Sequence, residues 1–310
     1  MGGGSSPRIR AALSTTWVGG VADPIGVEVR LVPPEGTSAS AETLVADGAE
    51  AVLDASAPWV PAVGRFEVTL EWRFEARRPG GEWTAVPGAV STTHRLYGLV
   101  ATPIFGYSSS PHRAWVDVVD RVTGWVDGAA SDADAVAARI VEGVFYELGL
   151  QYDSERGASH YTSYPGSWSG AVFELSRFAE LENGNIINCS DAASIVSTYA
   201  NMVGIDLRYH IIQHRWDDGF DLNYLYAIGR SFAASPFFSG RSAFRYHAIT
   251  GPPDTRVYDA TLALDGDGTP SSPPHTTLLV QGLTQHDYLV GLSPEWDQVN
   301  VFIDEKVRIR

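Results

Sequence analysis

Hydrophobic and polar residues alternate without a break from Phe66 to Ala76. Phe66, Val68, Leu70, Trp72, Phe74 and Ala76 fall on one face, with Glu67, Thr69, Glu71, Arg73 and Glu75 on the other. A period of two with one apolar face predicts a half-buried β-strand. Pro79-Gly80-Gly81 supplies a turn, and Trp83, Ala85 and Val86 mark a second strand. Ile9–Leu13, Gly26–Val32 and Thr93–Val100 read as further strands, and no segment of helical period precedes residue 110. Short strands parted by turn residues predict an immunoglobulin-like β-sandwich over 8–105, with Trp72 and Trp83 in its core. Residues 1–7 are Gly/Ser-rich and read as a flexible leader.

The pattern changes across 101–111, where Pro103, Gly106 and three serines mark a domain boundary. Within 106–310, a helix is expected over Arg113–Val126. A second begins at Ser131, with Asp134 in the capping-box position and Val136, Ile140, Val144 and Leu148 at helical spacing before Gly149. Residues 151–170 are rich in Tyr, Ser and Gly and read as a long surface loop. A short helix over Val172–Glu182 follows. Beyond residue 205 the chain is strand-like, near 205–214, 221–229, 242–250, 255–262 and 286–291.

Between these regions lies Asn188-Cys189-Ser190-Asp191, which reads as a helix start with Asn188 as N-cap and Asp191 at N3. Ala192, Val196, Tyr199, Ala200 and Val203 mark one buried face, and Gly204 ends the helix. Cys189 therefore occupies the first helical position. There the helix dipole and unpaired N–H groups favour a thiolate, and the same N–H groups suit an oxyanion on an attacked carbonyl. A thiolate nucleophile needs a base that later protonates the leaving group. His247 lies in one strand-like run and Asp259, twelve residues on, in another, with Gly251-Pro252-Pro253-Asp254 as the turn between them. Such a hairpin puts the imidazole beside a carboxylate that fixes its tautomer.

Charge and composition narrow the partners. Lys and Arg number 22 against 37 Asp and Glu, a formal charge of −15. A surface of that sign repels phosphate backbones, which speaks against nucleic acid. No apolar run reaches membrane-spanning length, so membrane insertion is not expected. The single cysteine excludes an internal disulfide and fits a reducing, cytoplasmic setting, with secretion as an effector without a signal peptide as the alternative. His210 and His214 are four apart, a metal spacing on a helix but not on the strand expected there. Asp265-Gly266-Asp267-Gly268 lacks the rest of a calcium loop and reads as a polar turn. Trp216-Asp217-Asp218 and Tyr161–Trp168 fit either a substrate groove or aromatic-anchored loops.

The stretch from Cys189 to Arg208 resembles the transglutaminase-like superfamily of papain-like folds. Cys189, Asp191, Gly204-Ile205 and Arg208 stand at that family's intervals, and the chain order Cys, His, Asp is also kept. His247 is followed by Ala248, and Asp259 by Ala260-Thr261. The resemblance covers roughly 110–265 and implies an α+β protein: an N-terminal immunoglobulin-like sandwich followed by a papain-like, transglutaminase-type catalytic domain. It further implies that Cys189, His247 and Asp259 form a catalytic triad on a protein or peptide substrate. The backbone N–H of Cys189 would be one oxyanion donor and Asn183 a second, with Asn188 and Asp191 in support. The expected chemistry is amide hydrolysis through a thioester, without cofactor or metal. The alternatives are a secreted glutamine deamidase or transglutaminase, and an inactive binding module.

Overall fold

The computed structural model describes residues 28–32, 43–44, 63–77, 80–88, 90–104, 115–126, 132–164, 170–216, 219–230, 237, 242–253, 256–268, 276–303 and 307–310. It mixes helix and strand in open sheets. The chain divides into two compact units, Met1–Pro61 with Arg65–Leu96, and Ala62–Gly64 with Tyr97–Arg310.

The first unit carries one five-stranded sheet among the described residues: β1 (Glu28–Val32), β2 (Thr43–Leu44), β3 (Gly64–Arg77), β4 (Thr84–Ala85) and β5 (Val90–Gly98). The alternating run at Phe66–Ala76 is the long strand β3, to which β1, β4 and β5 pair. Its polar face is solvated: Glu67 meets Arg95 at 3.6 Å, and Thr69 meets Thr93 at 3.2 Å on β5. Trp83 is half-buried, with the Arg77 guanidinium 4.5 Å from its ring centre. The Trp72 side chain and the strand expected at Ile9–Leu13 lie outside the described residues.

In the second unit, chain order runs α1 (Val116–Val126), α2 (Ala133–Tyr146), β6 (Gln151–Tyr152), β7 (Thr162–Ser163), β8 (Val172–Phe173), α3 (Leu175–Ala179), β9 (Ile186–Ile187) and α4 (Cys189–Met202). It continues through β10 (Arg208–His214), β11 (Phe220–Asp221), β12 (Tyr226–Ala227), β13 (Ala243–Phe244), β14 (His247–Gly251), β15 (Arg256–Asp265), β16 (Thr277–Thr284) and α5 (Gln285–Leu292). β17 (Val299–Ile303) and β18 (Arg308–Ile309) complete it. The main sheet has the order β12-β15-β14-β10-β17, with β16 on β15. Helix α4 packs on β14 and β15 and is flanked by α2 and α1.

Every residue of α4 is buried, not only the one face read from the sequence. In a helix enclosed on all sides most polar side chains need partners within the protein. Ser197 donates to Ser194 O, and Asn201 Nδ2 donates to Ser197 O at 2.6 Å and Leu207 O at 2.8 Å. Gly204 ends the helix at φ +89, and a Cβ there would stand 2.4 Å from Ala101 O, so only glycine fits.

Several elements differ from the sequence expectation. Helix α2 starts at Ala133 with Asp132 as N-cap, and the Asp134 carboxylate is bonded across to Arg256 and Tyr258 instead of capping. The helix expected over Val172–Glu182 shrinks to α3, because Val172 and Phe173 pair in parallel with Arg308 and Ile309 at the far end of the chain. The strand expected near 286–291 is helix α5: Thr284 accepts the Asp287 N–H at 3.1 Å and caps it. The stretch 151–170 is not only surface, since Tyr152, Asp153, Tyr161 and Thr162 are buried. Among the described residues no helix is long and apolar enough to cross a membrane.

Candidate active site

Cys189 begins α4, the central helix, and is 4% exposed. The capping box read from the sequence is present: the Asn188 side chain accepts the Asp191 N–H at 3.2 Å, and Asp191 accepts the Asn188 N–H at 3.3 Å. No described residue accepts the Cys189 N–H, which is one of the open donors of the first turn.

Asp191 does more than cap. Its fully buried carboxylate also accepts Ser159 Oγ–H at 2.8 Å, His160 N–H at 2.8 Å and Tyr161 N–H at 2.9 Å. These bonds clamp the segment after β6 onto the start of α4. Asn188 Nδ2 adds a 2.9 Å bond to Gly157 O.

Strands β14 and β15 are antiparallel neighbours, with Thr250 opposite Tyr258. They bring His247 Nε2 to 2.9 Å from Asp259 Oδ2, with both side chains buried. Asp259 is held from two further sides, by the Tyr288 hydroxyl at 2.8 Å on Oδ2 and the Thr261 N–H at 2.6 Å on Oδ1. Phe244 stacks on the imidazole, 5.0 Å between centres and 7° from parallel. Burial works against a charged His247. The Asp259 charge and hydrogen bond, with Cys189 beside the ring, outweigh it and push the pKa up to about 9. His247 Nδ1 is the nitrogen left over. It is buried and has no partner at full hydrogen-bond geometry, and the Cys189 side chain is close enough to raise the ring's pKa both as a weak hydrogen-bond partner and by its charge.

Sequence reasoning missed a ring of aromatic hydroxyls around the thiol. Tyr152 lies opposite Ile187 in the β6–β9 pairing, and Ile187 is two residues before Cys189. The Tyr152 hydroxyl has no hydrogen-bond partner among the described residues. Burial first, then the charge of Cys189, raises its pKa far above the usual tyrosine value, so it remains a donor. Phe237 packs edge-on to Tyr152 at 5.2 Å and to Phe244 at 5.0 Å, an aromatic wall reaching His247. The one visible signal was the Tyr-rich composition of 151–170, which carries no spacing rule.

Asn183 is placed differently from its expected role. Its Nδ2 donates to His160 O at 2.6 Å and its Oδ1 accepts from Arg177 at 3.0 Å. These bonds make it a support of the 160s segment, and none connects it to Cys189. His210 is buried, with Nε2 at 3.1 Å from Gly251 O. His214 Nδ1 accepts the Trp216 N–H at 3.3 Å, and the described residues hold no group of side chains fit to bind a metal. Asp265 Oδ1 accepts the Asp267 N–H at 2.9 Å, closing a local turn. Trp216 is 69% exposed, while Trp168, Asp217 and Asp218 lie outside the described residues.

The sequence matches no family model and no curated protein.

Proposed function

We propose that the chain is a cysteine-nucleophile hydrolase of amide bonds in proteins or peptides, of the transglutaminase-like type. On this reading its second unit is papain-like and its first an immunoglobulin-like sandwich. The observation that carries it is the buried His247–Asp259 pair set beside Cys189, which itself opens a capped helix. Three features with no common structural need converge: a thiol at a helix N-terminus, an imidazole held charged, and a carboxylate tied down from three sides.

The reaction follows from the groups present. Cys189 Sγ, as thiolate, attacks the carbonyl carbon, and the carbonyl pair moves onto oxygen. The Cys189 N–H and the Tyr152 hydroxyl are the donors for that oxyanion. The His247 imidazolium delivers its proton to the leaving nitrogen as the C–N bond breaks, leaving a thioester. His247, now neutral, takes a proton from water, whose oxygen attacks the thioester and frees the Cys189 thiolate. Asp259 orients the imidazole and balances its charge without taking the proton. An amine in place of water would make the same site a transglutaminase.

The test is mass spectrometry of the intact chain after treatment with an acyl-type activity probe, with Cys189→Ala as control. One adduct on the wild type and none on the variant is expected. A wild type that stays unlabelled would favour the inactive binding module instead.

A further inference from the structure

Ser190 follows the nucleophile and Tyr246 precedes the base. Their hydroxyl oxygens are 3.3 Å apart. Ser190 Oγ also accepts the Tyr164 hydroxyl at 2.8 Å, and Tyr164 is bonded in turn to the Tyr209 hydroxyl on β10. Thr162 Oγ1 donates to Ser190 O at 3.3 Å. Ser190 and Tyr209 are fully buried, so water does not replace these bonds. Hydroxyls from the start of α4, from β10, from the residue after β7 and from the approach to β14 thus meet near the thiol.

Asp259 and Phe244 fix the His247 ring relative to its own sheet. Neither fixes it relative to α4, where Cys189 sits. Nδ1 has no partner at full hydrogen-bond geometry, so its approach to the thiol needs holding by neighbours as well. A nucleophile–base pair works only when its spacing is kept to a fraction of an ångström.

We propose that Tyr246 is a positioning residue for the Cys189–His247 pair: through Ser190, its hydroxyl ties the approach to the base onto the first turn of the nucleophile's helix and sets the thiol–imidazole separation. The brace does not open by titration near neutrality. Burial and the Cys189 charge hold the Tyr246 hydroxyl above its ordinary value, and burial does the same for Tyr164 and Tyr209.

This inference rests on the reading of Cys189 as the nucleophile, and iodoacetamide separates the two. The chain has one cysteine, so alkylation reports on Cys189 alone. Wild type, Tyr246→Phe, Ser190→Ala and the double variant are compared for alkylation rate across the pH range, with thermal melting as the folding control. Tyr246→Phe is expected to slow alkylation near neutrality about five- to tenfold, the worth of one hydrogen bond, and to shift the pH profile. Ser190→Ala should slow it at least as much, because it also loses the Tyr164 bond, and the double variant should fall short of the sum of the two losses, because they share the Tyr246–Ser190 bond. If either variant melts without cooperativity, the other reads the same bond. A fast wild type with an unchanged Tyr246→Phe profile, or losses that add in the double variant, overturns the brace alone. A wild type that alkylates like an ordinary thiol removes the nucleophile reading and the brace with it.

Discussion

Tyr288 and His247 share one oxygen: Asp259 Oδ2 accepts the Tyr288 hydroxyl at 2.8 Å and faces His247 Nε2 at 2.9 Å. Tyr288 sits on α5 and is fully buried, so a third element reaches in to fix the carboxylate that fixes the imidazole. Removing it leaves a buried carboxylate one donor short. Tyr288→Phe should therefore destabilise the fold by about 1–3 kcal/mol, more than deletion of an exposed hydroxyl would. Activity should fall about tenfold as the His247 ring gains freedom. Urea unfolding and kcat/KM on one amide substrate check both, and wild-type values for each would remove Tyr288 from the site.

The raised His247 pKa gives a stability prediction with a definite sign. The folded value, about 9, lies above the ordinary 6.5, so between these limits the folded chain holds a proton that the unfolded chain has lost. The His247 contribution is whole below about pH 6.5 and is lost as pH climbs through about 9, with a limiting slope near 1.4 kcal/mol per pH unit. Denaturant unfolding across that window should show a decline in wild type. In Asp259→Asn, which deletes the main cause of the shift, the decline should flatten. Equal slopes in both proteins would refute the assignment.

Removing the reacting groups should produce graded damage. Cys189→Ser should be the most severe, because a hydroxyl beside the same base is a poor nucleophile near neutrality. His247→Ala should approach it, since thiolate formation and leaving-group protonation both depend on the imidazole. Asp259→Asn should be milder in activity, because an amide can still orient the ring. Rates on any cleavable amide decide the order. A Cys189→Ser chain as active as wild type would remove this cysteine from the mechanism.

The parts of the site governed by local rules were legible in the sequence. The Asn188–Asp191 capping box, the helix end at Gly204 and the hairpin joining His247 to Asp259 each follow from short-range chemistry. What could not be read depends on partners far along the chain. Tyr288 reaches Asp259 from 29 residues away, and Arg308 converts the expected helix at Val172 into strand. Helix α5 is a different case, because Thr284 and Asp287 carry a capping pair that outweighs the strand-like side chains after them. The hydroxyls around Cys189 come from β6, β10 and α5 and from beside β7 and β14, and no periodicity in one segment predicts such a convergence.

Asp191 ties the 159–161 segment to the nucleophile's helix through three accepted bonds, and accepts the Asn188 N–H as a fourth. Asp191→Asn keeps the volume but turns an NH2 group toward donors, leaving buried N–H groups unpaired. The cost should be about 2–4 kcal/mol, with the 153–164 segment loosened first. Hydrogen exchange should show faster exchange at His160 and Tyr161 than in the remainder of the second unit. Uniform protection at those amides would show that the segment is held by something other than this carboxylate.

Tyr152 supplies the last prediction. A donor that acts only on the developing oxyanion should affect the chemical step and leave substrate binding nearly unchanged. The Tyr152 hydroxyl meets the structural requirement: it is protonated over the working pH range, it lies beside the start of α4, and it is bonded to nothing among the described residues. Tyr152→Phe preserves the ring and its 5.2 Å edge contact with Phe237, so the fold should melt as wild type does. Its kcat should fall about 10- to 100-fold, with KM altered less than about twofold, as expected for loss of one of two donors. Alkylation of Cys189 by iodoacetamide should not slow, because that reaction develops no oxyanion on a carbonyl. A slower alkylation would place Tyr152 in thiolate formation instead, and a rise in KM with kcat intact would make it a ground-state binding contact.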